Sequence, residues 1–220
     1  MQAQGETVVE YTIGALRDAI KEGRFAPGQR LIVADVTRTF GVSAGPVREA
    51  IRRLTGEGLI DITPHKGATV RQFSLDEVRE IFELREMVEG LAARLAASKI
   101  EQGDNRARLE TCRDAMEDAT RSTTGYVGHN HDLHDLIADL ADNKKVREIA
   151  NQLTLPIYRM RFHHLMDLAY IGVSRDEHER IIAAILSGDE PAAEAAMRSH
   201  IKASGQAMVA TLKAEQRVAR

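Results

Sequence analysis

Residues 43–60 read SAGPVREAIRRLTGEGLI and predict a helix with sharply defined ends. Ser43 is a favourable N-cap residue, and Pro46 falls in the first turn, where its missing N–H has no intrahelical partner to lose. The apolar residues recur every three or four positions, at Val47, Ile51 and Leu54. Gly56 and Gly58 end the pattern. The stretch therefore predicts a short helix with one apolar face.

Two further helical patterns precede this one. Residues 8–22 carry apolar residues at near-helical spacing and end at a turn over 23–28 that contains Gly and Pro. Residues 35–40 form a short second pattern that closes at Gly41, whose freedom at positive φ suits a tight turn between helices. The second and third helices are therefore expected to be separated only by a short turn.

A pair of strand patterns follows the third helix. Residues 59–63 and 68–71 read as two strands, with Lys66 and Gly67 at the tip of the hairpin between them. Helix, short helix, turn, helix and hairpin make up the winged helix-turn-helix plan. In that plan the third helix enters the major groove of DNA, and the hairpin contacts the backbone or the minor groove.

The charge of the chain divides at the end of this hairpin. Residues 8–71 hold ten Lys or Arg against seven Asp or Glu, whereas the residues after 71 hold twenty against twenty-five. The overall net charge of −3 therefore hides a basic N-terminal part and an acidic remainder. This asymmetry is compatible with DNA binding by the first part alone.

The rest of the chain reads as helical throughout. Ser74 and Glu77 match a capping box, so we expect a winged helix-turn-helix domain at 1–72 and an all-helical domain at 73–220. The predicted fold class is therefore mostly α. Helices are predicted at 75–98, 104–120, 126–141, 143–152, 156–168, 174–187 and 190–215. A second capping pattern, at 174–177, is expected to open the sixth of these.

Composition excludes several classes of protein. Nine aromatic residues and no Trp argue against a β-sandwich. Cys112 is the one cysteine, so an intrachain disulfide and thiolate-rich metal sites are excluded. No apolar run reaches the roughly 18–20 residues of a membrane span, and the first thirty residues lack a signal-peptide pattern. We expect a cytoplasmic protein with no membrane partner.

Three of the eight histidines fall on apolar faces of the predicted helices. His134 shares its face with Asn130, one turn earlier. His178 and His200 lie at nearly equal distances on either side of the turn at Gly188. In an antiparallel helix pair, their imidazoles therefore reach the same level.

Three imidazoles and one side-chain oxygen around a point would suit Zn²⁺, Ni²⁺ or a similar divalent ion, with open positions for a ligand carboxylate. The alternative is that each histidine is a hydrogen-bonded core residue. Residue types and spacing leave both interpretations open.

Arg85 and Glu89 also fall on an apolar stripe, where charged residues are rare. Their i, i+4 spacing allows them to pair with each other. Alternatively, Arg85 anchors a small acid in the bundle, because a guanidinium donates to a carboxylate in bidentate fashion. Arg159 and Arg161 are further candidates for that role, against the simpler interpretation of solvated surface charge.

Two sets of residues carry a family resemblance. The first set is Pro46-Val47-Arg48-Glu49-Ala50-Ile51, Leu54, Glu57-Gly58-Leu59-Ile60 and Gly67-Ala68-Thr69-Val70. The second is Leu84-Arg85 with Glu89, Leu133-His134 with Asn143, and His178 and His200 on either side of a Gly-Asp turn. The first set resembles the DNA-binding domain of GntR-family transcriptional regulators, and the second resembles that family's FadR-like (FCD) effector domain. Together they cover about residues 10–210.

The resemblance implies a homodimeric, usually repressing regulator that binds a palindromic operator in double-stranded DNA. It also implies a small effector, often a carboxylate, held beside a divalent metal on Asn130, His134, His178 and His200. Two departures stand out. The family most often has Asp at the position of Asn130, and a neutral amide oxygen is a weaker ligand. Many members carry Arg where this chain has Ala44, so more of the DNA contact falls to the remaining residues.

These observations together predict the roles of individual residues. Arg48 is expected to read a guanine edge or a phosphate, and Arg52 to contact the backbone. Ser43, Lys66 and the Gly67 amide are expected to hold phosphates. The predicted effector residues are Arg85, Glu89 and Arg161.

We interpret the chain as a regulator rather than an enzyme. One alternative is a metal-responsive regulator in which the ion itself is the signal. The other is a His-metal hydrolase or oxygenase. Against the enzyme, no catalytic carboxylate is expected beside the histidines, and the DNA-binding domain would have no purpose.

Overall fold

The computed structural model describes residues 7–63, 67–119, 123–159 and 168–218. The helices are α1 (Val8–Lys21), α2 (Val33–Phe40), α3 (Ala44–Gly56), α4 (Leu75–Ser98), α5 (Asn105–Ala119), α6 (Thr123–Leu140), α7 (Lys144–Arg159), α8 (Leu168–Leu186) and α9 (Glu190–Val218). The strands are β1 (Arg30–Leu31), β2 (Ile60–Thr63) and β3 (Gly67–Val70). The mostly helical fold class is confirmed. The chain forms two compact units, with the main division between Phe73 and Ser74.

The first unit is a winged helix-turn-helix. Its core is built by the apolar faces of α1, α2 and α3 together with the base of the hairpin, with Leu16, Val36, Val47, Leu54 and Ile60 almost fully buried. Gly41 closes α2 at a φ of 66°, and its N–H donates to the Thr37 carbonyl. The left-handed turn that was expected between α2 and α3 is therefore present.

The hairpin is part of a three-stranded antiparallel sheet in the order β1-β3-β2. Strand β1 pairs Arg30 with Thr69 and Leu31 with Ala68. The sequence predicts β2 and β3 but not β1, because two residues are too few to show alternation. Strand β1 exists only through its pairing with β3, which is a long-range contact.

The caps of α3 and α4 differ. Ser43 stands at the N-cap position of α3 with extended backbone, but its side chain makes no capping hydrogen bond to the described residues. Ser74 and Glu77 form the complete capping box at the start of α4, as predicted. The N-cap oxygen of α3 is thus left exposed at the surface.

The second unit is an all-helical bundle in which α4 packs extensively against α9. Helix α4 also contacts α6 and α8, and α5 contacts α6 and α8. Two glycines permit the close approach of α4 and α9. A Cβ on Gly90 would lie 2.5 Å from Cγ of Arg198, and a Cβ on Gly205 would lie 2.8 Å from the Phe82 ring.

Two predicted boundaries in the bundle are wrong. Helix α7 continues through Pro156 to Arg159, where two helices were expected. Proline removes one N–H donor, but its fixed φ is itself helical, so it does not always end a helix. The described chain does not extend over the remainder of the predicted 156–168 helix.

Helix α8 begins at Leu168, six residues before the expected Ser174. Ser174 is fully buried inside this helix and is not its N-cap. Ile171 is buried and Tyr170 is half-buried, so the apolar face of the helix extends toward its N-terminus. The free energy gained by burying these side chains offsets the roughly 1 kcal/mol that Gly172 costs in a helix interior. None of the helices in the described ranges is long and apolar enough to cross a membrane.

Candidate metal centre and nucleic-acid interface

Three buried imidazoles meet inside the helical bundle. His134 lies on α6, His178 on α8 and His200 on α9, and they are 7%, 1% and 3% exposed. One ring nitrogen of each lies within 4.8 Å of one ring nitrogen of the other two. These three residues are called the histidine cluster below.

His178 and His200 face each other across the α8–α9 pair. Their Nε2 atoms are 3.2 Å apart, and the ring centroids are 4.4 Å apart. Gly188, at a φ of 71°, makes the turn between the two helices. The two residues therefore stand at the same level, as their equal distances from this turn predict.

Two carboxylates orient the cluster from outside. Nδ1 of His134 lies 2.6 Å from Oε2 of Glu89, and Nδ1 of His200 lies 2.8 Å from Oε2 of Glu177. An ionised carboxylate only accepts hydrogen bonds, so each Nδ1 carries a proton, which leaves Nε2 as the ring nitrogen that can face the cluster. Nε2 of His134 is buried and has no hydrogen-bond partner among the described residues. This arrangement, in which a second ring nitrogen donates to a carboxylate, is typical of histidines that bind metal.

From the sequence, no catalytic carboxylate is expected beside the histidines, and the structure places two carboxylates there, each next to an Nδ1 atom. Glu177 was predicted only as part of a capping box, although it precedes His178 on α8. Glu89 was predicted as a partner of Arg85 or of a ligand. Both carboxylates bond the outer edge of an imidazole and not its cluster-facing nitrogen.

Glu89 also holds Arg85, whose Nε donates to its Oε1 at 2.6 Å. Both residues are at most 4% exposed. Burial alone would raise the pKa of Glu89, but the charges of Arg85 and His134 and their hydrogen bonds outweigh it and lower that pKa to about 2. The i, i+4 pair predicted from spacing is present, and Glu89 is ionised at neutral pH.

Burial keeps two of the imidazoles in the form that binds metal. It lowers the pKa of His178 well below the usual value, helped by repulsion from His200 and His134. It also lowers the pKa of His200, although the hydrogen bond to Glu177 acts in the opposite direction. A metal requires neutral imidazole, so these shifts favour coordination at neutral pH.

A hydroxyl pair on α8 and α9 lies near these charges. The Tyr170 hydroxyl donates to Oγ of Ser204 at 2.8 Å. Burial raises the pKa of Tyr170, which also responds to the charges of Glu177 and Arg85. Neither hydroxyl was singled out from the sequence, because helical periodicity carries no signal that separates a packed Tyr from a ligand contact.

The remaining predicted residues of this site are placed as follows. Asn130 is 4% exposed and lies on α6, one turn before His134. Arg161 falls outside the described residues.

The predicted DNA-contacting residues of the first unit differ in availability. Arg48 on α3 is exposed and makes no hydrogen bond or ion pair with described residues. Arg52 is also exposed, but Glu49 accepts from its Nε at 3.0 Å and its Nη2 at 2.6 Å. Ser43 is exposed at the start of α3.

On the hairpin, Gly67 opens β3 opposite Thr63, and Lys66 falls outside the described residues. Gly67 has a φ of 82°, which disfavours any side chain there. Arg30 of β1 lies beside it: a Cβ on Gly67 would be 3.7 Å from Nε of Arg30. Arg30 is not among the DNA-contacting residues predicted from the sequence.

Comparison with known proteins matches both units. Residues 80–203 match the family model of the FCD domain, and residues 9–70 match that of the bacterial regulatory proteins of the gntR family. The HTH-type transcriptional regulator LutR of Bacillus subtilis (strain 168) is 30% identical over 206 residues, which cover 83% of this chain and 92% of LutR. The HTH-type transcriptional repressor RspR of Escherichia coli (strain K12) is 29% identical, over 85% of this chain and 82% of RspR. A GntR transcriptional regulator from Rhodococcus sp. RHA1 superposes with a TM-score of 0.73 at 25% identity, covering 91% of this chain and 97% of that one.

Proposed function

This chain belongs to the gntR family of bacterial regulatory proteins and carries an FCD domain, and from that premise we propose that it is a metal-dependent, acid-responsive repressor. It is a DNA-binding transcriptional regulator, like its relatives. The proposal adds that a small carboxylate, bound beside a divalent ion in the bundle, controls how tightly the protein holds its operator.

The proposal rests on the buried Nε2 of His134, which has no hydrogen-bond partner in the part of the chain that the structure describes. A buried polar atom without a hydrogen bond costs free energy, about 1–3 kcal/mol, unless something satisfies it. The Nε2 atoms of His178 and His200 are 3.2 Å apart, and one ring nitrogen of each of the three histidines lies within 4.8 Å of the others, so one ion could bind all three. A core of hydrogen-bonded histidines leaves this atom unexplained.

The histidine cluster would hold the ion, and Asn130 is the candidate fourth ligand. When bound, a Zn²⁺ or Ni²⁺ ion supplies positive charge and open coordination positions for an acid. Glu89 and Glu177 fix the tautomers of two ligands before any ion arrives, which lowers the cost of binding it. The amide of Asn130 adds no charge, so the site would bind more weakly than one with Asp at that position.

The effector would be a small carboxylate that pairs with Arg85. The Nε of this guanidinium donates to Glu89, and the acid would pair with the same positive charge, with Arg161 as a further candidate contact. Because Glu89 also holds His134, Arg85 is connected to the histidine cluster through a single carboxylate. Binding of an ion at the histidine cluster or of an acid at Arg85 would therefore act on the same three side chains, Arg85, Glu89 and His134.

A homodimer on a palindromic operator would convert this binding into a change in DNA affinity. Leu84 and Met87 of α4 are 56% and 55% exposed. Leu84 lies on one face of α4 with the half-buried Ile81, Val88 and Leu91, at alternating spacings of three and four residues. Such a face suits packing against the same helix of a second copy. A change in the separation of the two α3 helices would then alter the fit to the half-sites.

The test combines elemental analysis with DNA binding by the purified full chain. An operator is first obtained by in vitro selection from random duplexes, and its affinity is measured for metal-free protein and for protein loaded with Zn²⁺ or Ni²⁺. Small hydroxy and dicarboxylic acids are then titrated. We expect one ion per chain and a change of about 5- to 150-fold in operator affinity with a matching acid, since typical couplings are about 1–3 kcal/mol.

His129→Ala is the matched control, because His129 lies on α6 next to Asn130 but outside the cluster. It should retain the ion, whereas His134→Ala should lose it. Acids that bind without altering operator affinity would contradict the effector role. A metal that changes operator affinity with no acid present would favour the metal-responsive regulator, and turnover of an acid would favour the enzyme.

A further inference from the structure

A groove of about 400 Å³ separates α3 from the sheet in the first unit. The residues that line it include Arg30, Ile32, Arg48, Arg52, Ile62 and Gly67. Three of the ten lining residues are arginines, and they come from both sides of the groove. The groove therefore combines a concave surface with concentrated positive charge.

The position of this groove relates it to the DNA backbone. When a recognition helix lies in the major groove and a hairpin reaches the neighbouring minor groove, a strand of phosphates separates the two. The space between α3 and the sheet then has to accommodate that strand. Positive side chains in such a space release counterions when they meet phosphate.

Of the three arginines, Arg30 is best placed to contact phosphate. It is exposed and makes no hydrogen bond or ion pair with the described residues. Arg52, by contrast, is held in a bidentate ion pair by Glu49. The guanidinium of Arg30 stands beside Gly67, and the pairing of β1 with β3 fixes its backbone.

We propose that Arg30 binds a backbone phosphate in the groove between α3 and the wing, and sets the register of the protein on DNA without reading bases. This rests on the proposed docking of α3 in the major groove. Gly67 serves the contact by leaving the space beside the guanidinium open. The site takes the phosphodiester of any duplex, so its contribution is independent of sequence.

The experiment measures the salt dependence of DNA binding by the full chain. Fluorescence anisotropy gives the affinity of Arg30→Gln and of the parent for a labelled mixed-sequence duplex over a series of salt concentrations. Loss of one phosphate contact should reduce the slope of log K against log salt by about 0.9 for each bound protomer. The same relation gives an affinity loss of about eightfold at 0.1 M salt, which vanishes toward 1 M.

Two variants control for charge. Arg24→Gln removes the same charge from an exposed arginine of this unit that pairs with Glu22 and lies outside the groove, so it should leave the slope unchanged. Arg30→Lys keeps a positive charge and should keep most of the slope. Arg30 has no hydrogen bond or ion pair to lose among the described residues, so Arg30→Gln should also keep the parent's Tm.

The outcomes separate this proposal from the one on which it rests. Arg48→Ala tested on the selected operator reports whether α3 docks at all. In one outcome, Arg48→Ala binds the operator more weakly than the parent, and the salt slope of Arg30→Gln equals that of Arg24→Gln. This outcome overturns only the role of Arg30. If Arg48→Ala and Arg30→Gln both bind like the parent, the docking of α3 is wrong and both proposals fail. A lowered Tm in Arg30→Gln would assign the residue to folding and overturn the phosphate contact.

Discussion

The two units of this protein each contain an arginine–glutamate pair with the same closest approach of 2.6 Å and opposite surroundings. In the first unit, the side chains of Arg52 and Glu49 are 72% and 31% exposed. In the second, the side chains of Arg85 and Glu89 are 4% and 6% exposed. One pair is solvated and the other is enclosed by the bundle.

The difference shows how each unit uses charge. A solvated ion pair contributes little to stability, so it opens at low cost when a phosphate competes for the arginine. A buried pair cannot open without leaving an uncompensated charge, so it keeps its geometry and holds His134 in place. The proposed DNA contact of Arg52 would therefore replace an ion pair that opens at low cost, whereas the pair beside the histidine cluster stays closed.

The largest expected effect is on protein stability, and it compares the buried Arg85–Glu89 pair with the exposed Arg52–Glu49 pair. Glu89→Gln leaves Arg85 buried without its counter-charge and should lower the free energy of unfolding by about 3–5 kcal/mol at pH 7. Glu49→Gln, at the exposed pair, should leave it unchanged. Denaturant unfolding of the metal-free chains measures both, and an equal loss in the two variants would break the comparison.

The same buried pair should depend on pH in a defined direction. The folded pKa of Glu89, about 2, is lower than the ordinary 4.5, so its stabilisation is complete above pH 4.5 and is lost as pH falls toward 2. The difference in free energy of unfolding between Glu89→Gln and the parent should therefore shrink over that range. A difference that is constant with pH would show that the charge of Glu89 is not what stabilises the fold.

The next effect concerns the ion itself. His178→Ala removes one imidazole from the cluster and should lower metal affinity by more than the roughly 100-fold that loss of an outer hydrogen-bond partner costs. Calorimetric titration with Zn²⁺ measures the change, with His129→Ala as the control on α6. Undiminished affinity in His178→Ala would remove the cluster as the metal site.

A smaller effect is expected from the outer carboxylate of His200. Glu177→Gln keeps the size of the side chain but weakens its hydrogen bond to Nδ1, so metal affinity should fall about 10- to 100-fold. The fold should persist, because Glu177 holds no buried cation in the described chain. Elemental analysis after dialysis, alongside circular dichroism, distinguishes this loss from unfolding.

Truncation of Arg48, which makes no ion pair with the described residues, should affect DNA binding alone. Arg48→Ala should reduce affinity for the selected operator by about 1–3 kcal/mol if Arg48 reads a base edge. Affinity for mixed-sequence DNA should fall less, and metal content should not change. Equal losses on both duplexes would make Arg48 a phosphate contact instead.

The smallest effect is a gain of affinity. Glu49 pairs with both Arg52 and Arg53, and Arg53 also pairs with Glu10. Glu49→Gln should therefore release Arg52, weaken the hold on Arg53 and tighten binding to mixed-sequence DNA about two- to fivefold. The salt dependence should become steeper. Unchanged binding would indicate that Arg52 and Arg53 do not reach the backbone.

The sequence predicted most of the fold and part of the site. Local patterns with fixed periods located the helices, the hairpin and the turn at Gly41. Equal spacing from Gly188 placed His178 opposite His200. Local patterns failed where a long-range contact outweighed them: β1 forms only by pairing with β3, and α8 begins before its capping pattern.

By itself, the amino-acid sequence determined the order of the elements, the left-handed turn at Gly41 and the apolar faces that bury three histidines, because these follow from backbone geometry and helical periodicity. The tertiary structure alone decided the contacts between elements. It placed Glu89 on His134, Glu177 on His200 and Arg30 beside Gly67. The orientation of one side chain toward another depends on how two elements pack, and no spacing along a single element encodes it.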